Sequence, residues 1–228
     1  MSSMNVWIEH TADGSDTLYV PKLDEHYHSV NGAIQESNHI FINAGLNVKL
    51  QQSTPLSILE IGFGTGLNAL LTQQIADQKK LLVNYTSLEL YPLSMYIVEK
   101  LNYPALLGVS EYSVFMDIHQ AEWGRSVKIS PYFELKKIET DFSKLDFNAA
   151  RQFFDLIYFD AFAPDKQQEM WTQDIFNYLF SVTKQNGIFV TYCAKGIVRR
   201  MLQQAGYVVE RLQGPPGKRE MLRAIRCQ

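Results

Sequence analysis

Residues 56–66, Leu-Ser-Ile-Leu-Glu-Ile-Gly-Phe-Gly-Thr-Gly, constrain this chain more than any other stretch. Six largely apolar residues read as a buried strand, and three glycines in five positions follow it. Glycine reaches backbone angles closed to other residues and carries no Cβ, so the chain can turn sharply there and a ligand can come close to the backbone. Leu67, Leu70, Leu71 and Ile75 then recur at helical spacing. Strand, glycine turn and helix in that order predict the start of a parallel sheet with crossover helices.

The text beyond residue 66 keeps that alternation. Strands are expected at 81–88, ending at Glu89, at 133–138, ending near Asp141, and at 155–159, a nearly continuous apolar run suited to burial on both faces. Further strands follow at 188–192, after an Asn186-Gly187 turn, at 207–212 and at 221–225. Helices are expected over 93–101, opened by Pro92, over 172–183 and over 197–204, the last ending at Gly206. Residues 102–130 read as helical and irregular. Gly214-Pro215-Pro216-Gly217 is too short for a crossover helix, so the seventh strand must return antiparallel. Seven strands with an antiparallel last hairpin describe the Rossmann-like α/β sheet of methyltransferases better than that of dinucleotide dehydrogenases. Residues 1–50 read as an N-terminal extension packed on this 51–228 domain. It carries a strand near 17–20 and a helix over 32–44, with Ile34, Ile40, Phe41 and Ala44 on one face, and residues 51–55 read as its linker.

Composition excludes several classes. With 46% hydrophobic residues in 228, the chain can bury a core and is not disordered. No apolar run approaches the ~20 residues of a membrane helix, and no secretory signal opens the sequence, so a cytoplasmic location is expected. Cys193 and Cys227 form neither a disulfide framework nor a metal-ligand pattern, so no metal is expected. The net charge of −3 argues against a general nucleic-acid binder. Residues 184–228, however, carry nine basic side chains against two acidic ones, a net +7 that leaves −10 on the rest. Such asymmetry points to an anionic partner at one end, or to a solvated basic tail on an acidic body.

The candidate site follows from the strand ends. Glu60, Gly62, Phe63, Gly64, Gly66 and Asn68 form the loop and first helical turn. A carboxylate at that strand end suits a cationic or hydroxylated ligand better than a pyrophosphate. In an S-adenosylmethionine reading the loop holds the methionine portion, Glu89 takes the ribose hydroxyls, and Asp141 lies near the adenine or caps its own loop. Gly64-x-Gly66-x-x-Ala69 with Glu89 downstream also fits a nicotinamide-dinucleotide fingerprint; Glu60 and the terminal hairpin favour the methyl donor. Asp160, in Asp160-Ala161-Phe162-Ala163-Pro164, ends the fourth strand and should face the glycine loop across the crevice where strand order reverses. It is the candidate catalytic group, or a loop cap. Lys195, Arg199, Arg200, Lys218 and Arg219 fall on the same sheet edge, where they would meet an anionic substrate. Phe162 or Trp171 could stack a base, or belong to the core.

Residues 60–68 and 155–171, and especially Gly196–Arg200 together with Gly217-Lys-Arg-Glu-Met-Leu222, resemble the methyltransferase module of the MnmC-type tRNA wobble-uridine enzymes over most of residues 30–225. The resemblance implies methyl transfer from S-adenosylmethionine to the aminomethyl group of 5-aminomethyl-(2-thio)uridine in tRNA. Bifunctional members add an FAD-dependent oxidase domain, for which 228 residues leave no room, so a separate FAD oxidase or other wobble-modification enzyme would act upstream. An aminopropyl- or methyltransferase acting on a small amine, and a non-catalytic tRNA-binding module, are the competing readings.

Overall fold

The computed structural model describes residues 5–50, 55–108, 111–144 and 153–227. The extension opens with a three-stranded antiparallel sheet of β1 (Trp7–His10), β2 (Asp16–Val20) and β3 (Glu25–His26). The sequence pointed to β2 alone. The expected helix at 32–44 is α1 (Ala33–Ser37), a run of π-helical turns over Asn38–Leu46, and α2 (Asn47–Lys49). Ile40, Phe41 and Ile42 are buried in succession, so the single apolar face that an α period assumes is not what this segment presents. The linker expected at 51–55 falls, at 51–54, outside the described residues.

The main body alternates as its sequence predicts. In chain order it runs β4 (Leu56–Ile61), α3 (Leu67–Lys79), β5 (Val83–Glu89), α4 (Met95–Val98), α5 (Tyr103–Leu107), α6 (Glu111–Gln120), β6 (Ser126–Ser130) and β7 (Phe133–Glu139). Then come β8 (Phe154–Phe159), α7 (Gln173–Val182), β9 (Thr183–Thr191), α8 (Gly196–Ala205), β10 (Val208–Gln213) and β11 (Glu220–Ile225). Among the described residues the sheet has eight strands, not seven, in the order β10-β11-β9-β8-β4-β5-β7-β6. The eighth is β6, an edge strand antiparallel to β7, which lies in the stretch read as helical. Its signal is Ser-Val-Lys-Ile alternation ahead of Pro131, a turn former, and one exposed edge strand offers only weak hydrophobic contrast. The 93–101 helix shrinks to α4, because the chain restarts at Asn102 with Pro104 at the head of α5. The Asn186-Gly187 turn is a bulge inside β9: Asn186 has φ 59 and donates to the Arg226 carbonyl at 2.7 Å, while the β8–β9 register shifts.

Both faces of the sheet are covered. The α7–α8 face buries Ile175, Phe176, Leu179 and Val182 of α7 against Phe159 and Phe189, whose rings stack with centroids 5.6 Å apart. Thr172 caps α7 by accepting from the Ile175 amide. Each such side chain contributes about 1.5–3 kcal/mol on burial. The other face is covered by α3, α6 and the π-helical segment, where Phe41 lies 5.1 Å from the Tyr158 ring. Further tethers tie the extension to the carboxyl-terminal strands. His39 pairs with the Gln213 carbonyl at 2.8 Å, Arg223 reaches the Ala44 carbonyl at 3.4 Å, and the buried Lys49 ammonium donates to the Asn186 carbonyl.

Gly45 is the closest approach of extension to sheet. A Cβ there would stand 3.3 Å from Tyr158 and Val190 and 3.4 Å from Leu156. Gly45→Val should therefore overpack this seam and cost about 1–3 kcal/mol. A lowered urea midpoint at unchanged m-value is the expected result.

Candidate active site

The sheet places β4 beside β8, so the loops leaving both strands meet at the crevice the sequence predicted. Gly62 (φ 93) makes the meeting possible: a Cβ there would fall 2.6 Å from the Asp160 carbonyl oxygen. The Asp160 amide in turn donates to the Ile61 carbonyl at 2.9 Å. The glycine loop hangs from the end of β5. The Gly62 and Phe63 amides donate to the Leu88 carbonyl at 2.9 and 3.3 Å, and the Gly64 amide donates to Glu89 Oε2 at 2.9 Å. Glu89 Oε1 accepts from the Tyr91 amide at 2.8 Å. Glu89 is thus fixed by two backbone donors and still lines the cavity with its remaining lone pairs.

That cavity encloses about 1290 Å³. Of the residues singled out from sequence, it is lined by Gly62, Phe63, Gly64, Asn68, Glu89, Asp141, Asp160, Phe162 and Lys218. Asp141, beyond β7, accepts from Ser143 Oγ at 2.6 Å and pairs with Lys144 at 2.6 Å, and this pairing with Lys144, helped by Ser143, draws its pKa down. Asp160 lines the cavity, is half-buried, and accepts from Asn68 Nδ2 at 2.9 Å. Desolvation, aided by the charge of Glu36, pushes its pKa up to about 7, against the opposing Asn68 bond and Lys218 charge.

Glu60 and Gly66 lie outside the cavity. Glu60 is wholly buried beneath it and accepts from Ser87 Oγ at 2.6 Å. Its other oxygen has no hydrogen-bond partner, although Asn68 and Tyr85 flank the carboxyl. Desolvation raises its pKa to about 8, with Asp160 adding to the shift and Ser87 opposing it. Strand alternation explains the position: Glu60 points into the sheet's covered face while its backbone faces the turn. Gly66 starts α3 and backs onto His119, whose Nε2 pairs with the Thr65 carbonyl at 3.0 Å. Lys137 is buried there too, donating to the His119 carbonyl at 2.5 Å over the Trp123 ring. Together they buttress the loop from behind.

The opposite wall comes from the extension, which sequence reasoning did not assign to the site. Tyr27 packs edge-on against Phe162, centroids 5.1 Å apart, and closes over Gly64, where a Cβ would stand 3.0 Å from its ring. Lys166 donates to the Asp24 carbonyl at 2.9 Å, and Glu36 of α1 pairs with Lys218 of the last hairpin. Only Glu36 carried a signal, as a charged residue on a helix otherwise poor in charge.

The remaining basic residues divide. Lys195 pairs with Asp165, and Arg199, Arg200 and Arg219 make no ion pair among the described residues; Arg200 and Arg219 are exposed. All four lie on the crevice edge but outside the cavity. Much of the tail's charge is internally matched, with Lys184 on Asp155, Arg223 on Glu210 and Arg211 on Glu220. Trp171 is core: it is buried against Phe159, its indole nitrogen donating to the Phe162 carbonyl at 2.8 Å, so it props the Asp160 loop and cannot stack a base. No described helix is long and apolar enough to cross a membrane, and no described group of His, Cys, Asp and Glu could hold a metal ion.

Because Glu60 binds its proton more tightly folded than unfolded, its stabilising effect is full below the ordinary carboxyl pKa and is lost as pH rises through about 8. Glu60→Gln keeps the neutral shape. Its melting temperature should fall less than that of the wild type between pH 5 and 9 when followed by circular dichroism; Asp160 contributes to the remaining slope with the same sign, and His28, His119 and Lys137, whose pKa values burial pushes down, with the opposite sign.

Residues 125–227 match the model of a family described as S-adenosyl-L-methionine-dependent methyltransferase. The tRNA 5-methylaminomethyl-2-thiouridine biosynthesis bifunctional protein MnmC of Burkholderia multivorans is 32% identical over 225 residues, 90% of this chain and 33% of that protein. The Cupriavidus metallidurans protein of the same name is 29% identical over 220 residues, 90% of this chain and 32% of that one. The chain thus spans about a third of the length of these curated relatives. The crystal structure of MNMC2 from Aquifex aeolicus superposes with a TM-score of 0.83 at 26% identity, covering 98% of this chain and 70% of that one. A spermidine synthase from Thermotoga maritima shares the fold alone, at TM-score 0.54 and 12% identity, over 100% of this chain and 83% of that one. The chain has the Rossmann-like fold of S-adenosylmethionine-dependent methyltransferases, and its sequence is similar to that of the MnmC proteins over nearly its whole length.

Proposed function

We propose that this protein methylates the aminomethyl group of 5-aminomethyl-(2-thio)uridine at the wobble position of tRNA, with S-adenosylmethionine as donor. The observation that carries the reading is Asp160: a carboxylate with a raised pKa, held by Asn68 in the lining of a large cavity, directly against the glycine loop. The residues present fit the donor. The wall at Gly62 and Gly64 has no Cβ, and Glu89 offers anchored carboxylate oxygens for hydroxyls at the end of β5. Asp141 also lines the cavity, next to Thr140, whose amide donates to the Glu89 carbonyl at 2.9 Å. Gly62, Phe63, Gly64, Asn68, Glu89 and Asp141 would hold the donor, which supplies an electrophilic methyl group when bound. Glu60 and Gly66 would support the loop from outside the cavity and touch no ligand.

Only an unprotonated amine is a nucleophile. Asp160 would accept a hydrogen bond from the acceptor N–H and so aim the nitrogen lone pair; once the new N–C bond forms at the expense of the sulfonium S–CH3 bond, which leaves a neutral thioether, the surplus proton on nitrogen passes to the Asp160 carboxylate. A base with pKa near 7 can accept that proton at neutral pH and release it to solvent. Phe162, with Tyr27 against it, offers an aromatic surface for the uracil ring. The exposed Arg200 and Arg219, with the half-buried Arg199 and the exposed Lys195 beside Asp165, would meet tRNA phosphates. Lys218 is better matched to Glu36 than to RNA. An upstream enzyme, such as a separate FAD oxidase, would have to expose the aminomethyl group, and a cytoplasmic location follows from the substrate.

Purified protein, S-adenosylmethionine and tRNA carrying aminomethyluridine should yield the methylaminomethyl nucleoside by mass analysis. Transfer of an aminopropyl group from the decarboxylated donor, or tRNA binding without turnover, would replace the proposal. Asp160→Asn should cut turnover by roughly 10²–10⁴-fold while calorimetric donor affinity stays near wild type. Wild-type turnover should climb as pH rises through about 7, where Asp160 ionises.

The RNA surface is tested separately. Each phosphate contact adds about −0.7 to −0.9 to the slope of log affinity against log salt. The Arg200→Ala/Arg219→Ala protein should bind tRNA more weakly and with a shallower slope in filter binding, its donor titration unchanged.

A further inference from the structure

Four side chains from four separate segments line the cavity: Glu36 of α1, Asp160 after β8, Tyr192 after β9 and Lys218 of the β10–β11 hairpin. Two are carboxylates, and one is a cation that could pair with either. The structure places that cation on Glu36. Glu36 is held for the purpose: its side chain is 8% exposed, and its other oxygen accepts from the Ser29 amide at 2.6 Å. The Lys218 ammonium also lies over the Tyr192 ring, 4.4 Å from the centroid. Tyr192 is fixed in turn by donating its hydroxyl to the Ala161 carbonyl at 2.9 Å, one residue beyond Asp160. Lys218 is therefore engaged twice while its charge still bears on Asp160, whose own hydrogen bond comes from the neutral Asn68 amide.

We propose that Glu36 is a positioning residue for Asp160: by holding the Lys218 ammonium against itself and the Tyr192 ring, it keeps that cation off the Asp160 carboxylate, which stays free as a proton acceptor. The extension thus sets the chemistry of a group 124 positions away in sequence. Other groups facing Asp160 leave this balance alone. Glu60 lies beneath it from β4 and Tyr85 from β5, both with raised pKa values and neutral at pH 7. His28, beside Glu36 and Lys218, is driven down to about 4 by burial and is also neutral. The charges of Glu36 and Lys218 bear on Asp160 with opposite sign, as an ion pair beside it requires.

The test is a ¹³C-carboxyl NMR titration of the ligand-free protein, with the Asp160 signal assigned by its loss in Asp160→Asn. In Glu36→Gln, which keeps an acceptor for the Ser29 amide, the freed Lys218 should turn to Asp160 and lower its midpoint by about one to three units. Adding Lys218→Met to Glu36→Gln should return the midpoint toward wild type. Lys218→Met alone leaves a buried carboxylate unpaired nearby and should move the midpoint up. An Asp160 midpoint unmoved in Glu36→Gln, or a shift that survives the second substitution, overturns the proposal. The consequence for turnover rests on the methyl-transfer reading: the acid limb of the kcat–pH profile should move with the titration in all three variants while donor affinity holds. A wild type inactive on aminomethyl tRNA would refute that reading, and the NMR titration would still decide the role of Glu36.

Discussion

Everything at the site depends on how closely two strand ends approach each other. β4 and β8 are adjacent and parallel, and their loops can share a crevice only if one of them carries no side chain at the crossing. Gly62 meets that condition, with the Asp160 carbonyl where a Cβ would otherwise stand. The amide of Asp160 completes the joint by donating to Ile61. Since the glycine loop also hangs from Leu88 and Glu89, three neighbouring strands fix the loop, the candidate donor carboxylate and the candidate base in one rigid unit. Such fixation is what a positioned proton acceptor needs, because small displacements of a reacting group are costly in rate.

The second constraint is electrostatic. Carboxylates cluster around the crevice: Glu60 below, and Asp160, Glu36 and Glu89 on the walls. Desolvation and mutual repulsion would protonate several of them, and each is managed differently. Glu89 and Asp141 are satisfied by backbone, serine and lysine donors. Glu36 is neutralised by Lys218. Glu60, wholly buried with a single hydroxyl donor, holds its proton instead. Asp160 is left between these cases, with one amide donor and a pKa near neutrality. Groups suited to proton transfer arise where neighbours push pKa values apart in this way.

The amino-terminal extension serves both constraints. Its π-helical segment packs on the sheet through Gly45 and Phe41, and its leading edge supplies Tyr27 and Glu36 to the cavity. A sheet of this kind leaves its crevice open on one side. Here the amino-terminal residues line that side and are pinned by Lys166 and Lys218 from the sheet domain.

The sequence alone determined the alternating architecture, the glycine turn, the antiparallel last hairpin and the placing of Asp160 opposite the loop. Those features rest on local backbone rules: apolar runs of strand length, glycines where φ is positive, and a linker too short for a helix. Strand β6 escaped because an edge strand buries little. Glu60 was misplaced because whether a strand-end side chain points into the cavity or under it depends on the neighbouring strands. Lys218 was read as a phosphate ligand because charge in a sequence has no partner; Glu36, 182 residues away, supplied one. Trp171 and Phe162 look alike as aromatics near a loop, yet one is core and the other lines the cavity. Only the tertiary structure decided these matters, since pairing, desolvation and the facing of side chains are set by contacts between segments distant in the chain, which local spacing does not encode.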